Sequence, residues 1–192
     1  MQPNISNHLP DDIEEILFTN DQIQERIQEL GAQISKDYAG KELVLVGILR
    51  GALIFLSDLT RAITIPHSFD MVGASSYGSA VSSSGRVQIT KDVEVNLRGK
   101  HVLIIEDIYD SGRTLAAIRD LLRVHHPADI RIASFLQKDV PNRAALISLD
   151  YKGFDIPDKF VVGYGLDFSE VYRNLPYVGV LKPRVYSETK GS

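Results

Sequence analysis

The sequence predicts an α/β fold with a mostly parallel central sheet flanked by helices. Continuous apolar runs, several of them rich in valine and isoleucine, recur along the chain and are typical of strands buried on both faces. Segments with helical spacing alternate with these runs, which favours parallel strands joined by helical crossovers. A length of 192 residues and a hydrophobic share of 44% fit one folded domain, so we expect a single domain over residues 1–192.

The first predicted helix begins near Asp21 and carries an apolar stripe along one side. Its apolar positions recur every three or four residues and are Ile23, Ile27, Leu30, Ile34 and Tyr38. Thr19 and Gln22 stand at the spacing of a capping box, which satisfies N–H groups at the start of a helix. We therefore expect an amphipathic helix in this segment.

Further apolar runs predict the strands. In chain order they read LVLVGIL, DMVGASS, HVLIIED, DIRIASFL and FVVGYG. The first is followed by an Arg-Gly pair and the helical segment ALIFLSDLTRAI, and the third by a glycine-containing turn and the helical segment TLAAIRDLLRVHH. The order of strand, turn and helix therefore repeats along the chain.

A polar segment, residues 75–100, separates the second run from the third. Its first half is rich in serine and glycine and predicts a mobile loop, although an ordinary surface linker has the same composition. The apolar residues that alternate in its second half are Val87, Ile89, Val93 and Val95. This alternation predicts an antiparallel excursion from the parallel sheet.

Composition and charge exclude several classes of function. The chain has 25 Asp and Glu against 21 Lys and Arg, and a net charge of −4 disfavours DNA or RNA as a partner. Cysteine is absent, which excludes disulfides, thiolate metal sites and a cysteine nucleophile. No apolar run reaches the roughly 20 residues of a membrane span, and the start MQPNISNHLPDD lacks the regions of a secretory signal. We therefore expect a cytoplasmic protein with no membrane partner.

The segment VLIIEDIYDSGRTL, residues 102–115, carries the strongest chemical signal. Glu106 and Asp107 follow four apolar residues at the carboxyl end of a predicted central strand, where open α/β sheets bind their ligands. Adjacent strand residues point to opposite faces, so we expect both acids to reach solvent, a metal or sugar hydroxyls. Two solvated acids at a strand end are the simpler alternative.

The next residues, 110–114, read DSGRT and directly precede a predicted helix. Glycine and small residues let backbone N–H groups converge, Ser111 and Thr114 add hydroxyl donors, and a helix N-terminus favours an anion. The pattern predicts a cradle for a monophosphate, and together with the acids it predicts glycosyl transfer at the anomeric carbon of a sugar phosphate. A plain helix cap is the alternative. The patterns GxxxxGK[ST] and GxGxxG are absent.

This segment resembles the phosphoribosyl-pyrophosphate motif of the purine phosphoribosyltransferases, and most of the chain is similar to their hypoxanthine-guanine branch. The resemblance implies that Glu106 and Asp107 engage the ribose hydroxyls and a magnesium ion. The residues that it places on the ribose 5-phosphate are Asp110, Ser111, Gly112, Arg113 and Thr114. Asp110 would also be the general base near ring nitrogen 7 of the purine, a role that a nearby carboxylate can fill.

Two further blocks resemble parts of the same family. Arg50 and Gly51 resemble its pyrophosphate-binding turn, although the family often has lysine where this chain has Arg50. An exposed arginine after a strand is the alternative. Ser76 and Tyr77 match the flexible loop, about residues 75–90, that closes over the reacting centre and excludes water.

The purine site is also implied by the resemblance. Lys138 corresponds to a lysine that donates to the 6-oxygen of the base, which favours 6-oxopurines over adenine. Phe160 resembles the aromatic that stacks on the purine, and Val161 and Asp167 offer backbone groups around its edge. Asp167 would reach a second magnesium ion, and Arg173 would contact pyrophosphate.

The resemblance implies a purine salvage enzyme that transfers a phosphoribosyl group from phosphoribosyl pyrophosphate to hypoxanthine or guanine, with Mg²⁺. It further implies a hood from about residues 1–20 and 139–185, and a homo-oligomer, either a dimer or a tetramer. A xanthine-preferring transferase is one alternative. A regulator that senses phosphoribosyl pyrophosphate and binds nucleic acid is the other, and the acidic charge disfavours it.

Overall fold

Two β-sheets, one of six strands and one of three, organise the protein. The computed structural model describes residues 11–76 and 87–187. The strands are β1 (Ile13–Phe18), β2 (Leu43–Leu49), β3 (His67–Ser76), β4 (Val87–Lys91), β5 (His101–Tyr109), β6 (Asp129–Lys138), β7 (Tyr151–Ile156), β8 (Val161–Val162) and β9 (Val178–Leu181). The helices are α1 (Asn20–Asp37), α2 (Leu53–Ala62), α3 (Arg113–Arg123) and α4 (Pro183–Ser187). Within the described ranges, no helix is both long and apolar enough to cross a membrane.

The six-stranded sheet has the order β4-β3-β2-β5-β6-β7 and is parallel except for β4. Leu43 of β2 pairs with His67 of β3 and with His101 of β5, so these strands start level with one another. The carboxyl ends of the parallel strands therefore lie along one edge, where such sheets bind ligands. The predicted α/β fold with a mostly parallel sheet is confirmed.

Helices cover both faces of this sheet. Leu103 and Ile105 of β5 pack into one core with α1 and α2. Val102 and Ile104 pack into a second core with α3. The split follows from the alternation of side chains along a strand, and it explains why the central strands are apolar without interruption.

The predicted amphipathic helix and its capping box are confirmed in α1. Gln22 N–H donates to Thr19 Oγ1 at 3.4 Å, and Thr19 N–H donates to Gln22 Oε1 at 2.9 Å. The residues of the predicted stripe are each 0–1% exposed: Ile23, Ile27, Leu30, Ile34 and Tyr38. Burial of each of the four aliphatic side chains stabilises the fold by about 2 kcal/mol relative to exposure, so this stripe fixes α1 on the sheet.

The three-stranded sheet has the order β1-β9-β8 and is antiparallel. It contains Val161 and Val162 of the FVVGYG run, so this run is not part of the parallel sheet. The strand ends at Val162 because the chain then turns tightly, with mutual hydrogen bonds between Gly163 and Leu166 at 3.0 and 3.1 Å. β7, which no apolar run predicts, instead completes the edge of the large sheet.

The predicted antiparallel excursion is β4, which pairs with β3. The strand ends at Lys91, so Val93 and Val95 lie beyond it. Asp70 of β3 explains this, because its carboxylate accepts hydrogen bonds from Glu94 N–H at 2.6 Å and Val95 N–H at 2.9 Å. These two N–H groups are therefore not free to pair with a neighbouring strand.

Candidate active site

The ends of β5 and β6 and the start of β8 surround a cavity of about 260 Å³ at the carboxyl edge of the large sheet. The predicted site residues that line it are Asp107, Asp110, Lys138, Phe160, Val161 and Asp167. Ile108, Lys159 and Leu166 complete the lining. Residues from three separate segments of the chain therefore meet where the sequence places the ligand.

The acid pair lies inside β5 rather than at its end, because the strand continues to Tyr109. Glu106 is only 7% exposed, and its Oε2 has no hydrogen-bond partner among the described residues. Burial, together with the neighbouring charge of Asp107, raises the pKa of Glu106 well above its ordinary value. Glu106 is therefore not a solvated acid, and of the predicted partners a metal or a sugar hydroxyl remains for its orphaned buried oxygen. Contact of Glu106 with such a ligand stays a prediction.

Asp107 points to the other face of β5 and borders the cavity. Burial raises the pKa of Asp107 to about 6. Hydrogen bonds from backbone N–H groups favour the charged form and partly oppose this rise. One of these donors is Ile108 N–H, at 2.8 Å from Asp107 Oδ1. Two neighbouring carboxyl groups are therefore held in a poorly solvated strand, a costly arrangement that a cation would relieve.

Gly51 lies directly against Asp107, which joins the turn after β2 to the acid pair. A Cβ added at Gly51 would stand 1.5 Å from Asp107 Oδ2, closer than any contact that real atoms allow. The preceding Leu49–Arg50 peptide bond is cis. The position therefore requires glycine because of close approach.

A Gly51→Ala variant is expected to keep the fold and to lose about 100-fold in turnover, because the added methyl group must displace the carboxylate of Asp107 by about 1.5 Å or more. Steady-state kinetics and far-ultraviolet circular dichroism measure the two effects. Turnover within a factor of two of the wild type would show that the position of Asp107 against this turn is unimportant.

The DSGRT segment comprises the turn after β5, residues 110–112, and the first two residues of α3, and we call residues 110–114 the phosphate turn. Its Gly112 is the N-cap of α3, with a φ of 81° that favours glycine. Gly112 has no side chain to cap the helix, and the side-chain acceptor described at this end is Ser111 Oγ, 3.5 Å from Arg113 N–H. Within the described residues, the N–H groups of Thr114 and Leu115 have no side-chain acceptor and remain available to an anion.

The base-side residues come from β6 and β8. Lys138 ends β6, and its Nζ lies 2.8 Å from Asp158 Oδ1. Phe160 is 37% exposed, stacks on Tyr186 at a centroid distance of 5.2 Å and meets Phe168 edge-on at 5.6 Å. These contacts fix the Phe160 ring at the border of the cavity.

The predicted pyrophosphate residues meet through Glu170. Arg50 Nη1 lies 2.9 Å from Glu170 Oε2, and Arg173 Nη2 lies 3.4 Å from the same oxygen. Arg173 also pairs with Asp167 Oδ1 at 2.7 Å and donates to Gly165 O at 2.7 Å. Two arginines from distant segments thus face one another across a carboxylate, as residues that share an anion would.

The model of the phosphoribosyl transferase domain family matches residues 15–169. This chain belongs to the phosphoribosyltransferase family. The transferase is 47% identical over 185 residues to the hypoxanthine-guanine phosphoribosyltransferase of Mycobacterium avium, which covers 93% of this chain and 91% of that protein. It is 46% identical over 179 residues to the enzyme of the same name from Streptococcus pneumoniae strain R6, covering 93% of this chain and 99% of that one. The solved hypoxanthine phosphoribosyltransferase of Staphylococcus aureus aligns with a TM-score of 0.85 and 50% identity, over 91% of this chain and 95% of that chain.

The loop prediction of the transferase lies largely outside the described residues. Ser76 is the last residue of β3, and Val87 begins β4. Tyr77 and the rest of the loop up to residue 86 are outside the described ranges. The lid function of this segment stays a prediction.

Sequence patterns did not single out Lys159, Glu170 and Arg143 of the transferase. Lys159 borders the cavity and pairs with Glu15 of β1, and its place next to Phe160 could have revealed it. Glu170 and Arg143 act through long-range contacts, for which the local sequence carries no signal.

Proposed function

We propose that this phosphoribosyltransferase transfers the 5-phosphoribosyl group of phosphoribosyl pyrophosphate to hypoxanthine or guanine. The products are the nucleoside monophosphate and pyrophosphate, the chemistry of purine salvage. One observation carries the proposal: a lysine donor, an aromatic ring and a carboxylate, Lys138, Phe160 and Asp110, line a single cavity that Asp107 also borders. The names of the curated relatives, which specify hypoxanthine and guanine, support it.

Phosphoribosyl pyrophosphate would lie along the carboxyl edge of the large sheet. Its 5-phosphate takes the N–H groups and hydroxyls of the phosphate turn, residues 110–114. Glu106 and Asp107 would accept hydrogen bonds from the ribose hydroxyls. Asp107 borders the cavity, and Glu106 Oε2 is buried without a partner among the described residues, which supports this role. Arg50, the backbone of Gly51 and Arg173 bind the pyrophosphate, which would replace the carboxylate of Glu170 between the arginines.

The residues present fit magnesium. The described residues hold no cluster of three or more metal-ligating side chains, but Mg²⁺ is usually bound by one or two carboxylates with substrate oxygens and water. The family resemblance suggests that Glu106 and Asp107 would hold one ion, Asp107 from the cavity and Glu106 through Oε2, which is buried without a partner among the described residues. Asp167 would hold the second. The metal would neutralise charge that develops on the departing pyrophosphate.

Asp110 acts as the general base. It is exposed at the cavity, next to the predicted position of the purine. As ring nitrogen 9 bonds to the anomeric carbon and pyrophosphate leaves, the proton on nitrogen 7 passes to or is shared with its carboxylate. No protein nucleophile is required.

We assign the three-stranded sheet to the hood over the base. β8 carries Val161, and Phe160 directly precedes it, so this sheet positions both predicted base contacts. β1 and β9 support β8 by antiparallel pairing. We therefore expect the whole chain to form one domain. Its expected self-association into a dimer or tetramer can be measured by analytical ultracentrifugation.

Parallel turnover measurements test the proposed function. Initial rates are measured with phosphoribosyl pyrophosphate, Mg²⁺ and each of hypoxanthine, guanine, xanthine and adenine. Formation of inosinate or guanylate at the highest kcat/KM supports the proposal. A preference for xanthine would replace it with the xanthine-specific alternative, and saturable binding of phosphoribosyl pyrophosphate without turnover of any base would favour the regulator.

Lys138 is expected to set the preference for 6-oxopurines. Lys138→Gln should lower kcat/KM for hypoxanthine about 10- to 100-fold, because a charged donor to the 6-oxygen is lost. The ratio of hypoxanthine to adenine turnover should fall with it. Lys152→Gln is the control, since Lys152 pairs with Asp155 on β7 and does not line the cavity. An unchanged base ratio in Lys138→Gln would remove Lys138 from base recognition.

A further inference from the structure

The side chain of Arg143 donates hydrogen bonds to backbone carbonyl groups in and next to the phosphate turn. Its Nη1 donates to Asp110 O at 2.5 Å and to Tyr109 O at 3.1 Å. Its Nη2 donates to Lys138 O. The guanidinium carbon stands 4.1 Å from the centroid of the Tyr109 ring. One side chain therefore ties the ends of β5 and β6 together.

The residues after Arg143 continue this contact. Ala145 N–H donates to Ser111 O at 3.0 Å. The carbonyls of three successive residues, 109–111, are therefore hydrogen-bonded by segment 143–147. The Tyr109 hydroxyl donates to Ala145 O at 3.1 Å and accepts from Ile147 N–H at 2.9 Å. The segment 143–147 is thereby fixed to the turn by both main-chain and side-chain hydrogen bonds.

Holding these carbonyls dictates where the N–H groups point. The peptide bonds of the turn are trans, and in a trans peptide unit the C=O and the following N–H point to opposite sides. With the carbonyls of Tyr109, Asp110 and Ser111 turned toward segment 143–147, the N–H groups of residues 110–112 turn away from it. Among residues 11–76 and 87–187, the N–H groups of Ser111 and Gly112 donate to no protein acceptor.

We propose that Arg143 is a positioning residue that holds the phosphate turn in its anion-binding conformation. By binding these carbonyls, it aims the N–H groups at the 5-phosphate. The inference rests on the proposed function, since it takes residues 110–114 as the 5-phosphate site. Arginine suits the task because its planar fork reaches several acceptors at once, which a lysine ammonium on a single stem does not.

Binding of inosinate and inosine to an Arg143→Met variant tests the proposal. The two ligands differ only in the 5-phosphate, so their Kd ratio isolates the phosphate turn. We expect the Kd for inosinate to rise about 10- to 100-fold, because charge-assisted hydrogen bonds that order the turn are lost. The Kd for inosine should stay within about twofold of the wild-type value, because inosine has no phosphate and makes no contact with the phosphate turn through one.

Arg26→Met is the matched control. Arg26 also donates to two backbone carbonyls, those of Gly153 at 3.1 Å and Lys152 at 2.7 Å, but far from the phosphate turn. It should leave both Kd values within about twofold of the wild type. Arg143→Lys keeps the charge and replaces Arg143→Met in the test if the latter does not fold. Its Kd for inosinate should rise about tenfold, with little change in the Kd for inosine.

The outcomes separate this inference from the proposed function. In folded Arg143 variants, an unchanged ratio of the inosinate and inosine Kd values would overturn the positioning role. A wild-type protein that binds inosinate no more tightly than inosine would instead overturn the 5-phosphate assignment and the proposed function with it. A ratio that falls in the Arg143 variants alone supports the inference.

Discussion

An Asp110→Asn variant is expected to lose about 100- to 10,000-fold in kcat with little change in the KM for phosphoribosyl pyrophosphate. The carboxylate borders the cavity, whereas the backbone of Asp110 belongs to the phosphate turn and is held by Arg143. Asparagine has the same shape, so the turn and its anion site persist while the proton acceptor is removed. Steady-state kinetics separate kcat from KM.

Asp139→Asn is the control for this prediction. Asp139 is an exposed acid that follows β6 and does not line the cavity, so its variant should retain wild-type kinetics. Near-normal turnover in Asp110→Asn would remove Asp110 from catalysis. A rise in KM with kcat unchanged would make it a binding residue instead.

Asp107→Asn is expected to stabilise the protein at neutral pH while it impairs the reaction. Burial raises the pKa of Asp107 from 3.8 to about 6, so the folded state holds this proton more tightly than the unfolded chain. The resulting stabilisation is fully present below pH 4 and is lost as the pH rises through about 6. Removing the ionisable group should therefore raise the free energy of unfolding at pH 7.5 by about 2–3 kcal/mol.

The same substitution should lower turnover about 100-fold or more, since the charged oxygen that we propose as a ligand of the ribose and magnesium becomes a neutral amide. Urea unfolding at pH 4 and pH 7.5 measures the stability, and initial rates measure the turnover. A variant that is less stable than the wild type at pH 7.5 would contradict the raised pKa. Wild-type turnover would contradict the assigned role.

Asp70→Asn provides the opposite case on β3, which β2 separates from β5 in the same sheet. Although burial opposes it, hydrogen bonds from the N–H groups of Val95, Met71 and Glu94 lower the pKa of Asp70. The stabilisation by this carboxylate is present at neutral pH and is lost as the pH falls. Asp70→Asn should therefore destabilise the protein at pH 7.5, in contrast to Asp107→Asn.

Local sequence patterns predicted the parts of the fold that depend on near neighbours. Periodicity and capping act over a few residues, so they are visible in the local sequence. They predict the apolar stripe of α1, its capping box at Thr19 and Gln22, and the buried strand β2. The acid pair and the turn before α3 are predicted for the same reason, since one segment, residues 102–115, contains both. Their roles toward the ribose and the phosphate stay predictions.

Features that depend on distant segments were not predictable. β7 is a short edge strand whose sequence, YKGFDI, has no continuous apolar run, and only its place beside β6 makes it a strand. The exclusion of a side chain at Gly51 comes from Asp107, which is far away in the sequence. Glu170 between two arginines and Arg143 behind the phosphate turn likewise arise from tertiary packing.

Phosphorus NMR of the reaction mixture tests phosphoribosyl transfer to a purine base most directly. The protein is mixed with phosphoribosyl pyrophosphate and Mg²⁺, with and without hypoxanthine, and ³¹P NMR records the products. We expect inosinate and pyrophosphate in equal amounts, only when hypoxanthine is present, and no conversion after EDTA removes the metal. Unchanged phosphoribosyl pyrophosphate in the complete mixture, or its breakdown at the same rate without hypoxanthine, would contradict transfer to a purine base.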